Sequence, residues 1–378
     1  MLQFNQLSYW EKSTFTEGID FLLIGTGIVG SACALKLREL HPEAKIVMVE
    51  RGYVSTGAST KNAGFACFGS VTELADDLLT MSENDVWATV DMRWRGLQRL
   101  IERFDPKAID LRFPGSWDLL TTSETGQKAK LTDLIARFNS ETERITGHAN
   151  CYSYDSGIAS RCGFSGIDGG YFNRLEGELN TGKLLLETEK LLANAGIITL
   201  HGVEVLSVNS FENEVIAETS FGELKAAKAA VTVNGFARQL LGDNRILPAR
   251  AQVVVTEKIA GFELPGTFHY QKGYYYFRSV GNRLLIGGGR NLDIEGETTT
   301  ELITTAPITN ALKELIETTI LPGRSTNIDY EWSGIMGVGT EKKPIIELIQ
   351  PNIGIAVRMG GMGVAIGSLA GEELAGML

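Results

Sequence analysis

Cysteine and histidine are both scarce, with four of each in 378 residues. Cys33, Cys67, Cys151 and Cys162 form no CxxC pair and show no His-rich partner spacing. That excludes a recognisable zinc site and argues against a disulfide scaffold, so no metal is expected. Positive charge is short as well. Thirty-five Lys and Arg stand against 46 Asp and Glu, a net charge of −11, which opposes a nucleic-acid partner. No apolar run approaches the ~18 residues that a transmembrane helix needs. The N-terminal stretch MLQFNQLSYWEKSTFTEGID carries acidic residues and lacks the apolar segment of a signal peptide. A cytoplasmic location is therefore expected. Internal repeats and low-complexity linkers are also missing.

What remains is an ordinary globular composition, 43% hydrophobic and 21% charged. A chain of this length buries roughly 75% of its unfolded surface, enough for two domains sharing a core. The 43 glycines exceed the usual share of about 7% and follow no Gly-X-Y period. They point to tight turns and close backbone approaches.

Along the chain, Ile19–Ile24 is an apolar run suited to a buried parallel strand, and a helical pattern follows through Ala32, Leu35, Leu37 and Leu40. His41-Pro42 ends that helix, and residues 45–50 form a second buried strand. Helical patterns are predicted over 71–105, 124–146, within 177–195 and over 306–320, with a strand at 113–122. From Ala251 to Gly289 the residues turn to Val, Tyr, Phe and Ile between glycine turns, which predicts antiparallel strands. The fold class expected is α/β: a Rossmann-like dinucleotide-binding domain with an inserted, mainly antiparallel β substrate domain carrying helices. The first domain is assigned 1–75, 150–240 and 335–378, the second 76–149 and 241–334.

The strongest motif is Gly25-Thr26-Gly27-Ile28-Val29-Gly30. A lone GxGxxG is weak. Here it follows a strand, opens a helix, and is answered by Glu50 at the end of the next strand, twenty positions after Gly30. Gly25 permits the turn, Gly27 lets the backbone approach a pyrophosphate, and Gly30 allows the helix to pack closely. The helix N-terminus favours the phosphates, and Glu50 accepts from ribose hydroxyls. These residues read as a dinucleotide site.

The segment from Glu50 and Arg51 through Gly57, Ala58, Ser59, Lys61, Asn62, Ala63 and Gly64 resembles the amino-acid and amine oxidase superfamily. That family includes glycine oxidase, D-amino-acid oxidase and sarcosine oxidase. Further resemblance lies at 202–208, where Val205 matches the residue that pairs with adenine, and at Asn234-Gly235, the strand end that closes over the cofactor. Residues 247–252 resemble the entry to the substrate sheet. Gly360, Gly361, Met362, Gly363 and Val364 resemble the glycine loop at the flavin's pyrimidine edge. Ser8-Tyr9-Trp10 is similar to the γ-glutamylputrescine oxidase branch. The resemblance implies FAD, held non-covalently because no Cys or His matches the family's attachment positions.

That loop is also sensible on its own terms. Backbone N–H groups at a helix start stabilise negative charge gathering on a reduced flavin without reorganising, and glycine admits the close approach.

One departure concerns the substrate. The family's carboxylate-gripping arginine follows a tryptophan, and here Met336 occupies that place in Trp332-Ser333-Gly334-Ile335-Met336. Arg278, at the end of Tyr274-Tyr275-Tyr276-Phe277, is the expected substitute, with Arg358 behind it. Lys272 is a candidate oxygen-facing ammonium. The function implied is oxidation of a C–N bond in a small amine or amino acid by hydride transfer to flavin N5. Two alternatives stay open: a 2-hydroxy-acid dehydrogenase on the same fold, and a flavin-binding partner protein with little turnover. A nicotinamide dehydrogenase has no use for the C-terminal glycine loop.

Overall fold

The computed structural model describes residues 3–378. Two eight-stranded sheets organise them. In the first, the strands run in the order Ile345–Gln350, Ile353–Val357, Gly222–Val231, Ile19–Ile24, Ile46–Glu50 and Ile198–His201. The last five are mutually parallel, and the antiparallel strands Val205–Phe211 and Glu214–Thr219 extend from Gly222–Val231. The central strand Ile19–Ile24 has five of six residues buried. That burial explains its apolar run, because a strand covered on both faces cannot alternate.

The second sheet orders Ile328–Val338, Leu247–Thr256, Arg283–Gly288, Tyr275–Val280, Thr267–Tyr270, Ser116–Thr121, Ile167–Asn173 and Tyr152–Asp155. All its pairings are antiparallel except Thr267–Tyr270 on Ser116–Thr121. Tyr152–Asp155 and Ile167–Asn173 therefore belong to the antiparallel sheet, whereas the expected assignment groups 150–240 with the first domain. The expected boundary at 335 falls inside the long strand Ile328–Val338. Short apolar alternations on either side of a boundary do not say which sheet edge they join. That is decided by long-range pairing.

Helix ends follow local chemistry. The predicted helix over 71–105 is two helices, Val71–Thr80 and Glu83–Arg103. Ser82 caps the second by accepting from the Asp85 N–H at 3.2 Å. Among the described residues, no helix is long and apolar enough to cross a membrane.

The C-terminal helix Gly363–Met377 packs behind the first βαβ turn, against Ile28–Leu40. Glycines make this contact backbone to backbone. A Cβ on Gly371 would lie 2.3 Å from Val29 O and 2.8 Å from Ala32 Cβ; where Glu83–Arg103 also packs on the C-terminal helix, one on Gly96 would lie 2.2 Å from Ala365 O. Because the obstructing atoms are mostly main chain, neither helix can yield cheaply. We expect Gly371→Val to separate the two helices and cost about 1–3 kcal/mol. Thermal unfolding should show a lowered Tm; an unchanged Tm would mean the helices reseat without strain.

Candidate functional site

The turn after the first strand is shaped by its glycines. Gly25 sits at φ +101 and donates its N–H to Val49 O at 2.9 Å, a conformation that suits a residue without Cβ. Gly27 is the N-cap of Ile28–Leu40, so the first-turn N–H groups of that helix face outward from the turn. The Ile28 N–H donates to Ser59 Oγ at 3.0 Å. Glu50 accepts from Thr26 Oγ1 at 3.0 Å and from the Gly52 N–H at 2.9 Å. Its remaining lone pairs are open to a ligand hydroxyl.

A single cavity of about 630 Å³ joins this turn to the C-terminal glycine loop and to the antiparallel sheet. Of the residues expected from sequence, Gly25, Gly27, Ile28, Val29, Glu50, Arg51, Gly57, Ala58, Ser59, Lys61, Asn62 and Ala63 line it. So do Val205, Asn234, Gly360, Gly361, Met362, Gly363, Val364 and Lys272. Two polar side chains among them are used internally. Asn62 donates to Ala58 O and Ser59 O and accepts from the Gly64 N–H at 2.8 Å. Asn234 accepts from the Arg358 and Met359 N–H groups at 3.1 and 3.2 Å. Both shape loops from within the wall.

Four expected site residues do not line the cavity. Gly30, Gly64 and Gly235 stand behind it as packing glycines: Cβ atoms there would lie 2.1 Å from Gly25 O, 2.2 Å from Leu179 O and 2.4 Å from Met336 O. The fourth is Arg278, and here the structure corrects the sequence. Its Nε donates to Ala63 O and its Nη2 to Leu179 O, both at 2.8 Å, while Nη1 pairs with Glu178 at 3.0 Å. Strand alternation puts Arg278 on the same face as Tyr276, which does line the cavity. Two residues further along, that face is roofed by Ala63–Gly64 and Leu179, so the guanidinium is consumed there. Arg358 is equally committed, donating to Lys343 O at 3.0 and 2.8 Å.

Lys272 reaches the cavity but is half exposed and pairs with Asp76 at 2.6 Å. Residues that the sequence reading missed complete the far end: Phe65, Glu73, Tyr276, Arg290 and Lys342. Burial pushes the Glu73 carboxyl up, yet Arg93 and Lys342 outweigh it and hold the group at about 2. Burial drives the Cys67 thiol well above its ordinary value, and neighbouring Glu176 adds to the shift. Tyr276 is raised to about 12 by burial. No spacing signal links Glu73, Arg290 and Lys342 in the chain; folding alone brings them together.

The cradle fits a flavin dinucleotide. A side chain on Gly57 would meet nothing within 4 Å and would stand in open cavity, and Gly363 would meet only the side chain of Met359. Residues 20–377 match the FAD dependent oxidoreductase family. The chain belongs to that family. As an FAD-dependent oxidoreductase it is similar to the probable oxidoreductase OrdL of Haemophilus influenzae, 23% identical across 98% of this chain and 85% of that protein. Its fold is similar to glycine oxidase from Geobacillus kaustophilus, with a TM-score of 0.73, 18% identity and coverage of 93% and 92% of the two chains. L-proline dehydrogenase from P. horikoshii is similar with a TM-score of 0.75, 16% identity and coverage of 96% and 93%. At these identities the structural likeness carries the fold alone.

FAD is thus the cofactor, and two substitutions probe how this oxidoreductase holds it and how its cavity wall is built. Glu50→Gln removes a charged acceptor and should weaken FAD binding by on the order of 1.5–3 kcal/mol; equal flavin affinity by titration would show that Glu50 does not touch the cofactor. Arg278→Met leaves the buried Glu178 carboxylate without its inner partner. We expect a loss of about 3–5 kcal/mol in denaturant unfolding. Retained stability together with slowed flavin reduction would restore a substrate role for Arg278.

Proposed function

We propose that the chain oxidises a C–N bond of a small amine or amino acid, using FAD held without a covalent link. The observation that carries this reading is the continuity of one cavity. The dinucleotide turn, the Gly360–Gly363 loop and the antiparallel face at Ala251, Tyr276, Gly334 and Met336 all bound it. A cofactor lying along the turn would therefore present its ring beneath that face. The names of the similar structures, glycine oxidase and L-proline dehydrogenase, support a substrate of this class.

When bound, FAD supplies the two-electron acceptor, taking hydride from the substrate carbon. The chain's own residues do the rest. Glu50 anchors the ribose end, and the N-terminus of Ile28–Leu40 offers N–H groups to phosphates. Among the described residues, the Gly363 and Val364 N–H groups at the start of Gly363–Met377 have no backbone acceptor and would stabilise negative charge on the bound ring. Phe65 and Tyr276 meet edge to face with centroids 5.7 Å apart and form an apolar wall that limits water. Met336 supplies no charge where the family's usual arginine would stand. No side chain is required as a base if the amine arrives neutral, and water completes hydrolysis of the imine in solution.

Non-covalent retention is supported by Cys67, the cysteine on the cavity wall. Its raised thiol disfavours the thiolate that attachment needs. We expect anaerobic addition of a panel of amines and amino acids to bleach the bound flavin, with 2-hydroxy acids leaving it oxidised. Bleaching by hydroxy acids alone would move the function to alcohol oxidation, and bleaching by none would favour a binding role.

A further inference from the structure

Behind the cavity wall, one buried carboxylate has an oxygen that no group in the described chain answers. Glu176 is fully buried. Its Oε1 accepts from the Phe68 and Gly69 N–H groups at 2.7 and 2.8 Å. Its Oε2 is buried with no hydrogen-bond partner. A buried anion with half of its acceptors idle is costly and calls for positive charge. Two other donors share the same space. His269 Nε2 is also buried and unpartnered, and Cys67 Sγ makes one long contact, with Thr267 Oγ1 at 3.9 Å. Ligand atoms of Cys67, Glu176 and His269 all lie within 4.8 Å of one another.

The backbone builds this meeting. Phe65–Ala66 pairs antiparallel with Gly177–Glu178, Phe65 opposite Glu178 and Ala66 opposite Gly177. The next step in that register sets Cys67 against Glu176. Thr267 and His269 share one face of the strand Thr267–Tyr270 by alternation, and Thr267 touches Cys67, so His269 falls beside it. The His269 ring is held edge to face against Phe65, with centroids 5.4 Å apart. Three segments far apart in the chain thus supply one donor each, and no spacing motif could announce them.

We propose that Cys67, Glu176 and His269 bind a divalent metal ion of borderline softness, of the zinc class. This inference goes beyond the amine-oxidation reading and does not depend on it. Thiolate, imidazole and carboxylate are the donor types that zinc accepts, whereas magnesium and calcium prefer oxygen alone. The thiolate and carboxylate charges together balance a divalent ion, so the buried complex is neutral. Burial keeps the Cys67 thiol protonated in the free protein; on coordination that proton leaves to solvent. Zinc bonds of about 2.0–2.3 Å set tetrahedral donors about 3.5 Å apart, so the three atoms draw in by on the order of 1 Å. The ion fills the gap between its donors and needs no exposed face on any one of them. Cys67 and His269 line the cavity, which gives the route in and the side on which a fourth position stays open. The two N–H bonds to Oε1 hold the carboxylate as outer partners do in metal sites. A thiol–carboxylate hydrogen bond alone would leave His269 Nε2 idle.

The test dialyses the FAD-loaded protein against Zn²⁺ or Co²⁺, measures bound metal, and reads the Co²⁺ ligand-field bands to the red of the flavin absorption. One equivalent of Zn²⁺ should bind with a Kd of about 1 μM or below, undisturbed by excess Mg²⁺. Bound Co²⁺ should show the intense bands of a tetrahedral site. Losing an outer partner alone costs roughly 10- to 100-fold in metal affinity, so Cys67→Ser and His269→Gln should each weaken Zn²⁺ binding by about 100-fold or more. Flavin content and metal-free Tm should be unchanged in both. Glu176→Gln keeps an acceptor for the Phe68 and Gly69 amides and should lose Zn²⁺ likewise. No binding by the parent, binding that persists in Cys67→Ser or His269→Gln, or only the weak bands of octahedral Co²⁺ overturns the assignment. The last two outcomes would give the ion to surface carboxylates of this acidic chain. Should a variant unfold, the Co²⁺ spectrum of the parent decides without it.

Discussion

The cavity exists because a buried guanidinium ties the antiparallel sheet to the cofactor loop. Arg278 projects from Tyr275–Val280 and donates to the carbonyls of Ala63 and Leu179, two segments that meet in a small sheet of their own through Phe65–Ala66 and Gly177–Glu178. Glu178 balances its charge and also pairs with Arg112 at 2.6 Å. Desolvating such a group is expensive unless every donor is satisfied, and here the fork satisfies the main chain on both sides. The loop that carries Ser59, Lys61 and Asn62 is thereby fixed at one height above the sheet. The depth of the ligand space between them follows from that height.

On the opposite side the limits are set by absent side chains. Gly25, Gly30 and Thr232 form a knot in which a Cβ on Gly30 would meet Gly25 O at 2.1 Å and Thr232 Oγ1 at 2.6 Å. Thr232 Oγ1 donates to Ile24 O at 2.9 Å, and the Thr232 N–H to the same carbonyl at 2.9 Å. Backbone atoms packed this closely hold the helix Ile28–Leu40 at a fixed angle. The direction in which its N-terminus points is then a property of the main chain, and it needs no charged residue to maintain it. This suits a protein of net charge −11 whose cofactor carries negative phosphates.

Charged groups at the far end are arranged differently. Glu73, Asp77, Arg93 and Lys342 neutralise one another. Lys342 comes from the connection between Ile328–Val338 and Ile345–Gln350, so this network also closes one end of the cavity. Asp118, raised to about 6 by burial against the bonds from Thr72, lies behind it. The mutual pairing leaves Phe65 and Tyr276 as an uncharged aromatic stretch of the cavity wall.

Local sequence determined much of this protein. The strand, GxGxxG turn, helix and distal Glu50 are read from short-range spacing because each residue's task is set by neighbours in the chain. The C-terminal glycine loop was legible through its resemblance to the family's loop. The antiparallel middle of the chain shows in its strand-forming residues. The sequence did not show which sheet 152–173 would join, since short strands find their edge through distant partners. It also misassigned Arg278: the alternation that predicts its face says nothing about what covers that face two residues on. Pairing between residues such as Arg250 and Glu297, 47 positions apart, is decided by the packed tertiary structure, where burial makes each unmatched charge costly.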